Sequence, residues 1–349
     1  MFPTRFTTRH RVVWGAHPDQ LPDGGPVHLV VTSPPYPMVA MWDDAFSAQS
    51  ASVTDALAAE DGPGAFESMH RILDPIWAAC FERLVPGGFI CVNVGDATRT
   101  IGGSFQLYSN HARTIQGLMA AGFGMLPDIL WRKPTNAPNK FMGSGMLPAG
   151  AYVTYEHEYI IVARKGGKRV FRTAAERARR RRSAFFWEER NQWFSDLWQG
   201  LTGIRQHLDA ATRKRSAAFP MALPARLIDM YSLQEDCVFD PFAGTGTTAI
   251  AAASAGRHSL SMERERDLEV VFNERMTRVP AVSAARSAHR LAEHHSFVEA
   301  RTAAGKPCKH THGRGGFPVM TSQERELALP VAESIERVGA GEWAVVTKI

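Results

Sequence analysis

Cysteine is scarce in this chain. Four occur in 349 residues, at Cys80, Cys91, Cys237 and Cys308, and no two stand close together. That excludes the spaced framework of a disulfide-stapled secreted domain, and the thiols read as reduced, with Cys91 and Cys237 on buried strands. Cys308, His310 and His312 lie too close together and lack a fourth ligand, so no metal site is expected. No apolar run reaches bilayer length, and the first residues lack the apolar stretch of a secretory signal. A membrane partner is therefore not expected, and the cytoplasm is the expected compartment. No internal repeat occurs, which excludes a repeat array. No Gly-Lys-Ser/Thr closes a glycine-rich turn, which excludes a P-loop. Charge of one sign is not dominant either: the net charge of +5 suits a polyanionic partner without requiring one.

What is present is an ordinary globular composition, 44% hydrophobic and 21% charged. The length allows two domains, or one α/β domain with insertions. Short apolar runs at 11–15, 27–32, 89–94, 126–132, 158–163, 238–240 and 259–262 read as strands. They alternate with helical patterns at 111–121, 223–231, 247–255 and 267–276, which implies a mainly parallel sheet covered by helices. Asp74-Pro75 reads as a cap and first-turn proline for a helix that Pro86-Gly87-Gly88 ends. Residues 134–155 have no period and read as a long loop, of the length that in compact domains is functional or mobile. The tail from 280 reads as a helix followed by an irregular segment.

Two strand ends carry the chemistry. After 27–32 comes Ser33-Pro34-Pro35-Tyr36: a hydroxyl, two prolines that restrict the backbone, and an aromatic ring. After 238–240 comes Asp240-Pro241-Phe242-Ala243-Gly244-Thr245-Gly246-Thr247-Thr248. Its glycines permit a tight turn close to a ligand, and the helix N-terminus that follows favours a carboxylate. Glu263, seventeen residues beyond Gly246, ends the next strand, where a carboxylate can accept from two ribose hydroxyls. The glycines alone also fit a nicotinamide-binding loop loosely. The Asp-Pro-Phe prefix, the Thr-Thr suffix and the tetrad at 33–36 are left unexplained by that alternative.

Together these motifs resemble the DNA amino-methyltransferases, in the beta order in which the catalytic loop precedes the cofactor loop, over residues 10–278. The resemblance implies a Rossmann-like α/β fold with a seven-stranded, mostly parallel sheet whose last strand is antiparallel. It implies S-adenosyl-L-methionine as cofactor, bound by Asp240, Pro241, Phe242, Gly244, Thr245, Gly246, Thr247, Thr248, Glu263 and Phe219. It also implies transfer of a methyl group to an exocyclic base amine flipped out of double-stranded DNA. Ser33, Pro34, Pro35 and Tyr36 are then catalytic: Ser33 Oγ and the Pro34 carbonyl accept from the amine, and Tyr36 stacks on the base. Ser at the first position is mostly associated with cytosine N4, and Asp or Asn with adenine N6, which is the alternative. Cytosine C5 chemistry needs a cysteine after proline at a strand end, and Pro307-Cys308 lies in the irregular tail instead. Asn93-Val94-Gly95-Asp96 and His157-Glu158 match strand ends lining the base pocket. One departure is Ala16 after Gly15, where the family has an acidic residue for the adenine amine, leaving Asp19 or the backbone to hold it. That departure keeps a catalytically inactive DNA-binding relative as a further alternative.

Residues 165–190 hold ten basic against three acidic side chains, a net +7. Phe185, Phe186, Trp187, Trp193, Phe194 and Trp198 follow, to hold an opened base or to pack the module down. In the beta order this interval carries target recognition, so Arg172, Arg179, Arg180, Arg181 and Arg182 are expected on DNA phosphates. Met38, Met41 and Trp42 read as a flap over the pocket or as core. The expected organisation is a catalytic half at 1–164, a recognition insertion at 165–215, a cofactor half at 216–279 and an extension at 280–349. Restriction-modification, with a cognate endonuclease, and a monomer or homodimer complete the expectation.

Overall fold

The computed structural model describes residues 5–15, 25–133, 147–150, 152–201 and 219–349. Ala16 and Asp19, part of the 134–155 loop and part of the 165–215 insertion lie outside the described residues.

The frame is one sheet. Its strands are β1 (Arg5–Trp14), β2 (Val27–Thr32), β3 (Leu84–Val94), β4 (Ile129–Arg132), β5 (His157–Arg164), β6 (Cys237–Asp240), β7 (His258–Glu263), β8 (Val331–Gly339) and β9 (Glu342–Lys348). Their spatial order is β8-β9-β1-β7-β6-β2-β3-β5-β4. The two-residue strands Leu197–Trp198 and Gly124–Met125 pair with β4 and β5, making eleven described strands. Five neighbours, β1, β7, β6, β2 and β3, are parallel. β5 is reversed between β3 and β4. The seven strands from β1 to β4 are thus the expected sheet, with its reversed strand at the end of the first half. The count rises to eleven because the two short strands extend the β4 side and β8–β9 extends the other.

Parallel strands are buried on both faces, so they read as unbroken apolar runs. In β2, Val30 faces one core with Ile90, Val92 and Trp77. Leu29 and Val31, one pleat away, face the other with Leu227 and Ile228. The first core is covered by α1 (Gly62–Arg83), with α2 (Asn110–Ala120) packed on α1. The second lies under α5 (Ala222–Tyr231) and α6 (Thr247–Ser254). Between these pairs come α3 (Ala174–Arg182) and α4 (Trp187–Trp193), and after them α7 (Glu269–Thr277) and α8 (Val279–Ala303).

Three expectations are corrected. Helix α1 begins at Gly62, about three turns before Asp74. Its cap is Asp61, which accepts from the Gly64 amide at 2.9 Å with Pro63 in the first turn. Pro75 sits inside the helix, and the Asp74 carboxylate is turned to Arg113 instead of the backbone. Second, Pro86-Gly87-Gly88 lies within β3, since the helix has already ended at Arg83. Third, the tail is not irregular throughout. β8 and β9 form an antiparallel hairpin in which β9 pairs with β1. Trp343, Val345 and Thr347 point inward at period two, each under 5% exposed. Met38, 2% exposed, is core, while Met41 is exposed.

Candidate active site

Ser33 and Gly244 follow the C-terminal ends of adjacent parallel strands, where open α/β sheets form ligand crevices. The loops are bolted together there. Thr32 Oγ1 donates to Asp240 Oδ1 at 2.7 Å, and the Phe242 amide donates to the same oxygen at 3.1 Å. Asp240 is 3% exposed. Burial pushes its pKa up from 3.8 to about 6, against hydrogen bonds from Thr32 and Thr248 that hold it down. Its role is therefore to join the two motifs from beneath.

The glycine turn divides its work. Gly246, at φ +81°, is the first residue before α6, and a Cβ there would lie 2.6 Å from the Phe272 ring. Gly244, at φ +52°, has nothing within 4 Å of the place a Cβ would occupy. The face open to a ligand is thus at Gly244, while Gly246 lets Phe272 pack beneath the turn. Glu263 Oε2 accepts from the Gly244 amide at 2.6 Å and Oε1 from the Glu265 amide at 2.8 Å. Burial raises its pKa while these amides oppose the rise. Each oxygen keeps a second lone pair for a ribose hydroxyl. The open glycine face, the Glu263 carboxylate and the start of α6 fit an amino acid–nucleoside sulfonium. Arg275, which sequence reading missed, braces the turn: its Nη1 donates to Thr245 O at 2.7 Å, to Thr247 Oγ1 at 3.2 Å and to Thr245 Oγ1. Burial lowers its pKa to about 10, so it stays charged at neutral pH. Pro241, Thr245, Thr247 and Thr248 are buried under the turn. Phe219 is buried in the α5 core with Leu223 and Leu227.

Around the tetrad the structure gathers residues from three other strand ends. Tyr36 Oη donates to Glu158 Oε2 at 3.0 Å and lies 3.0 Å from Ser33 Oγ. Asn93 Nδ2 donates to Tyr36 Oη at 2.8 Å and to Glu158 Oε2 at 2.7 Å. Lys133 Nζ donates to Glu158 Oε1 at 2.7 Å. Burial first, then the Glu158 charge, holds the Tyr36 phenol well above its usual range, so it keeps its proton. Asp96 accepts from the His111 ring at 2.7 Å and from Tyr155 Oη at 2.9 Å, and His111 stacks on Tyr159 at 3.8 Å. Asn93 and Glu158 are thus brought to the tetrad, as their strand-end positions imply, while Asp96 is engaged by His111 and Tyr155 instead.

The basic segment is placed elsewhere. Arg169 and Arg179 pair with Asp236, which precedes β6. Arg182 is 6% exposed and bonds Gln234 and Glu235; Arg181 pairs with Glu326; Arg180 lies over Phe171. Arg172 is exposed at the start of this segment. Asp236 marks the N-terminal end of the strands and Ser33 the C-terminal end, roughly 20 Å apart along a six-residue strand. Arg179, Arg181 and Arg182 therefore fasten α3 to the back of the sheet and to the extension. The aromatic residues pack as well: Phe186 stacks on His294 at 4.0 Å and Trp187 lies against Phe297.

A DNA methylase family model, for N6 and N4 methyltransferases, matches residues 27–274. The type II methyltransferase M.MthZI of Methanothermobacter thermautotrophicus is 44% identical over 340 residues, covering 96% of this chain and 94% of that one. M.MjaI of Methanocaldococcus jannaschii is 40% identical over 79% of this chain and 94% of its own. A Thermus thermophilus protein assigned as a DNA modification methylase, solved with S-adenosyl-L-methionine, superposes with a TM-score of 0.59. It is 29% identical, over 77% of this chain and 94% of that one. The cytosine-N4-specific PvuII methyltransferase shares the fold, with a TM-score of 0.54 at 18% identity over 77% of this chain and 86% of its own. With its glycine turn, Glu263 and proline tetrad assembled on adjacent strand ends, the chain belongs to the N6/N4 family of S-adenosyl-L-methionine-dependent DNA methyltransferases.

Proposed function

We propose that the chain methylates the exocyclic N4 amine of cytosine in duplex DNA at a specific short sequence. The observation that carries this reading is the Thr32–Asp240 bond, which sets Ser33 beside the glycine turn. Bound there, S-adenosyl-L-methionine supplies an electrophilic sulfonium methyl. Ser33 Oγ and the Pro34 carbonyl accept the two amine hydrogens and draw the nitrogen lone pair out of conjugation, which stabilises the charge that develops. The Tyr36 ring stacks on the flipped base, offsetting part of an unstacking cost of a few kcal/mol. A neutral hydroxyl at the first tetrad position, instead of Asp or Asn, favours cytosine over adenine. The type II relatives support a restriction-modification role, with an endonuclease of matching specificity as partner.

Nucleoside mass spectrometry of DNA methylated by the purified protein tests this. N4-methylcytosine is the expected product. N6-methyladenine would move the substrate to the alternative amine, and 5-methylcytosine would overturn the direct-transfer mechanism. Ser33→Ala should lower turnover about 10²–10³-fold with cofactor affinity unchanged.

A further inference from the structure

Glu158 is drawn into the tetrad by three separate donors, although it lies far from Ser33 in sequence. Its side chain is 11% exposed, and Lys133, its partner on the outer side, is 55% exposed. An ionised carboxylate has no hydrogen to give, so the Tyr36 hydroxyl must donate to it. With its only hydrogen committed, Tyr36 Oη can only accept from Ser33 and from Asn93 Nδ2. Asn93 is oriented by the same constraint. Both short contacts from its Nδ2 reach acceptors, so the amide nitrogen faces Tyr36 and Glu158, and Oδ1 is left buried with no partner among the described residues. The polarity of the chain thus runs one way: Ser33 gives its hydrogen to Tyr36, Tyr36 gives its own to Glu158, and the lone pairs of Ser33 are left to face the crevice.

We propose that Glu158 is a positioning residue and the terminal proton acceptor of a Ser33–Tyr36–Glu158 relay serving the amine transfer. The inference rests on the proposed function. As the nitrogen–methyl bond forms and the sulfur–methyl bond breaks, the amine carries one hydrogen too many. That proton passes to Ser33 Oγ as the Ser33 hydrogen moves to Tyr36 Oη and the Tyr36 hydrogen moves to Glu158 Oε2. Glu158 ends neutral, Ser33 and Tyr36 are restored, and Glu158 returns its proton to water on the Lys133 side. In this role the Tyr36 hydroxyl is needed as well as its ring.

The test compares wild type with Glu158→Gln, Tyr36→Phe and the double variant, read on whichever amine the wild type methylates. Each single variant should lose about 10²-fold in kcat, the scale of a proton-transfer contribution. The KM for DNA and the affinity for S-adenosyl-L-methionine should stay within about twofold, because no binding contact is removed. The double variant should be no slower than the slower single variant, since both break one path. Single-turnover methylation should slow in D2O for wild type and lose that sensitivity in Tyr36→Phe. Tyr36→Phe leaves the Asn93–Glu158 bond intact, so it reports on the relay even if Glu158→Gln disturbs folding. Retention of kcat in Tyr36→Phe, or losses that multiply in the double variant, would overturn the relay. Failure of the wild type itself to methylate either amine would instead overturn the proposed function.

Discussion

Asp240 lets the junction of the two loops be measured as a pH effect on stability. Its carboxyl is buried, and its pKa rises from 3.8 to about 6, chiefly through desolvation. A carboxyl whose folded pKa exceeds its unfolded value holds its proton more tightly in the folded protein. The contribution is therefore fully present below about pH 4 and is lost as pH rises through about 6. A rise of this size corresponds to about 3 kcal/mol. Asp240→Asn keeps an oxygen for Thr32 and the Phe242 amide but has nothing to ionise, so it should not lose that increment. For a chain of this length, with an unfolding entropy of about 2.1 cal/mol/K per residue, 3 kcal/mol is about 4 °C in Tm. Urea unfolding of both proteins between about pH 4 and 8 would measure it. The difference in unfolding free energy, variant minus wild type, should grow by about 3 kcal/mol across that window, mostly between pH 4 and 6. The Asp240 charge also helps to raise the Glu263 pKa, so the difference reports Asp240 together with its coupling to Glu263; in an Asp240→Asn, Glu263→Gln background compared with Glu263→Gln alone, the Asp240 contribution stands by itself. A flat difference would show that Asp240 is not desolvated as the packing implies.

The two glycines should separate cleanly. Gly244→Ala should weaken S-adenosyl-L-methionine binding in calorimetry with a modest Tm change. Gly246→Ala should instead lower Tm, because its Cβ meets Phe272 at 2.6 Å. Glu263→Gln should cost about tenfold to a hundredfold in cofactor affinity, from charged-acceptor hydrogen bonds worth about 1.5–3 kcal/mol. Glu263→Ala should cost more, since it also frees the Gly244 and Glu265 amides; equal losses would mean the carboxylate does not hold the turn. Replacing Arg169 and Arg179 with Ala should destabilise by up to about 3–5 kcal/mol, because buried Asp236 loses both guanidinium partners and is left with the Leu233 amide and His28, 3.6 Å away. The same variant should leave the salt dependence of DNA binding unchanged; a slope lowered by about 0.9 would put Arg179 on phosphate, and one lowered by twice that would add Arg169.

The readable parts of the sequence were those whose meaning is local. Ser33–Tyr36 and Asp240–Thr248 each carry backbone restriction, turn geometry and chemistry within a few residues, and the doubly buried β2 is a mainly apolar run, interrupted by His28, with bounds to match. What the sequence does not show is set by distant partners. Arg179 and Arg182 look like a basic face until Asp236 and Glu235, more than fifty residues on, are seen to claim them. Asp74-Pro75 has the chemistry of a helix start, but Arg113 occupies the carboxylate that would have capped it. Thr32 and Arg275, which brace the site, are ordinary polar residues, and only the adjacency of their strands or loops gives them work, whereas Asn93 and Glu158 were marked by the resemblance and not by any local pattern.

The place of β1 in the sheet has a consequence for synthesis. This strand is made well before its neighbours, residues 258–263 on one side and 342–348 on the other. At about 5–20 residues per second, it waits roughly 20 to 70 s for the second of them. An unpaired strand in that interval invites pairing with other nascent chains. β1 is written against that. Arg5, Arg9 and Arg11 point outward. Its inward face carries Thr8 and His10, whose hydrogen bonds to each other and to Ser259 are completed only when β7 arrives. The strand stays soluble while alone and becomes cohesive on meeting its own partner, so the timing of assembly is built into which polar groups it hides.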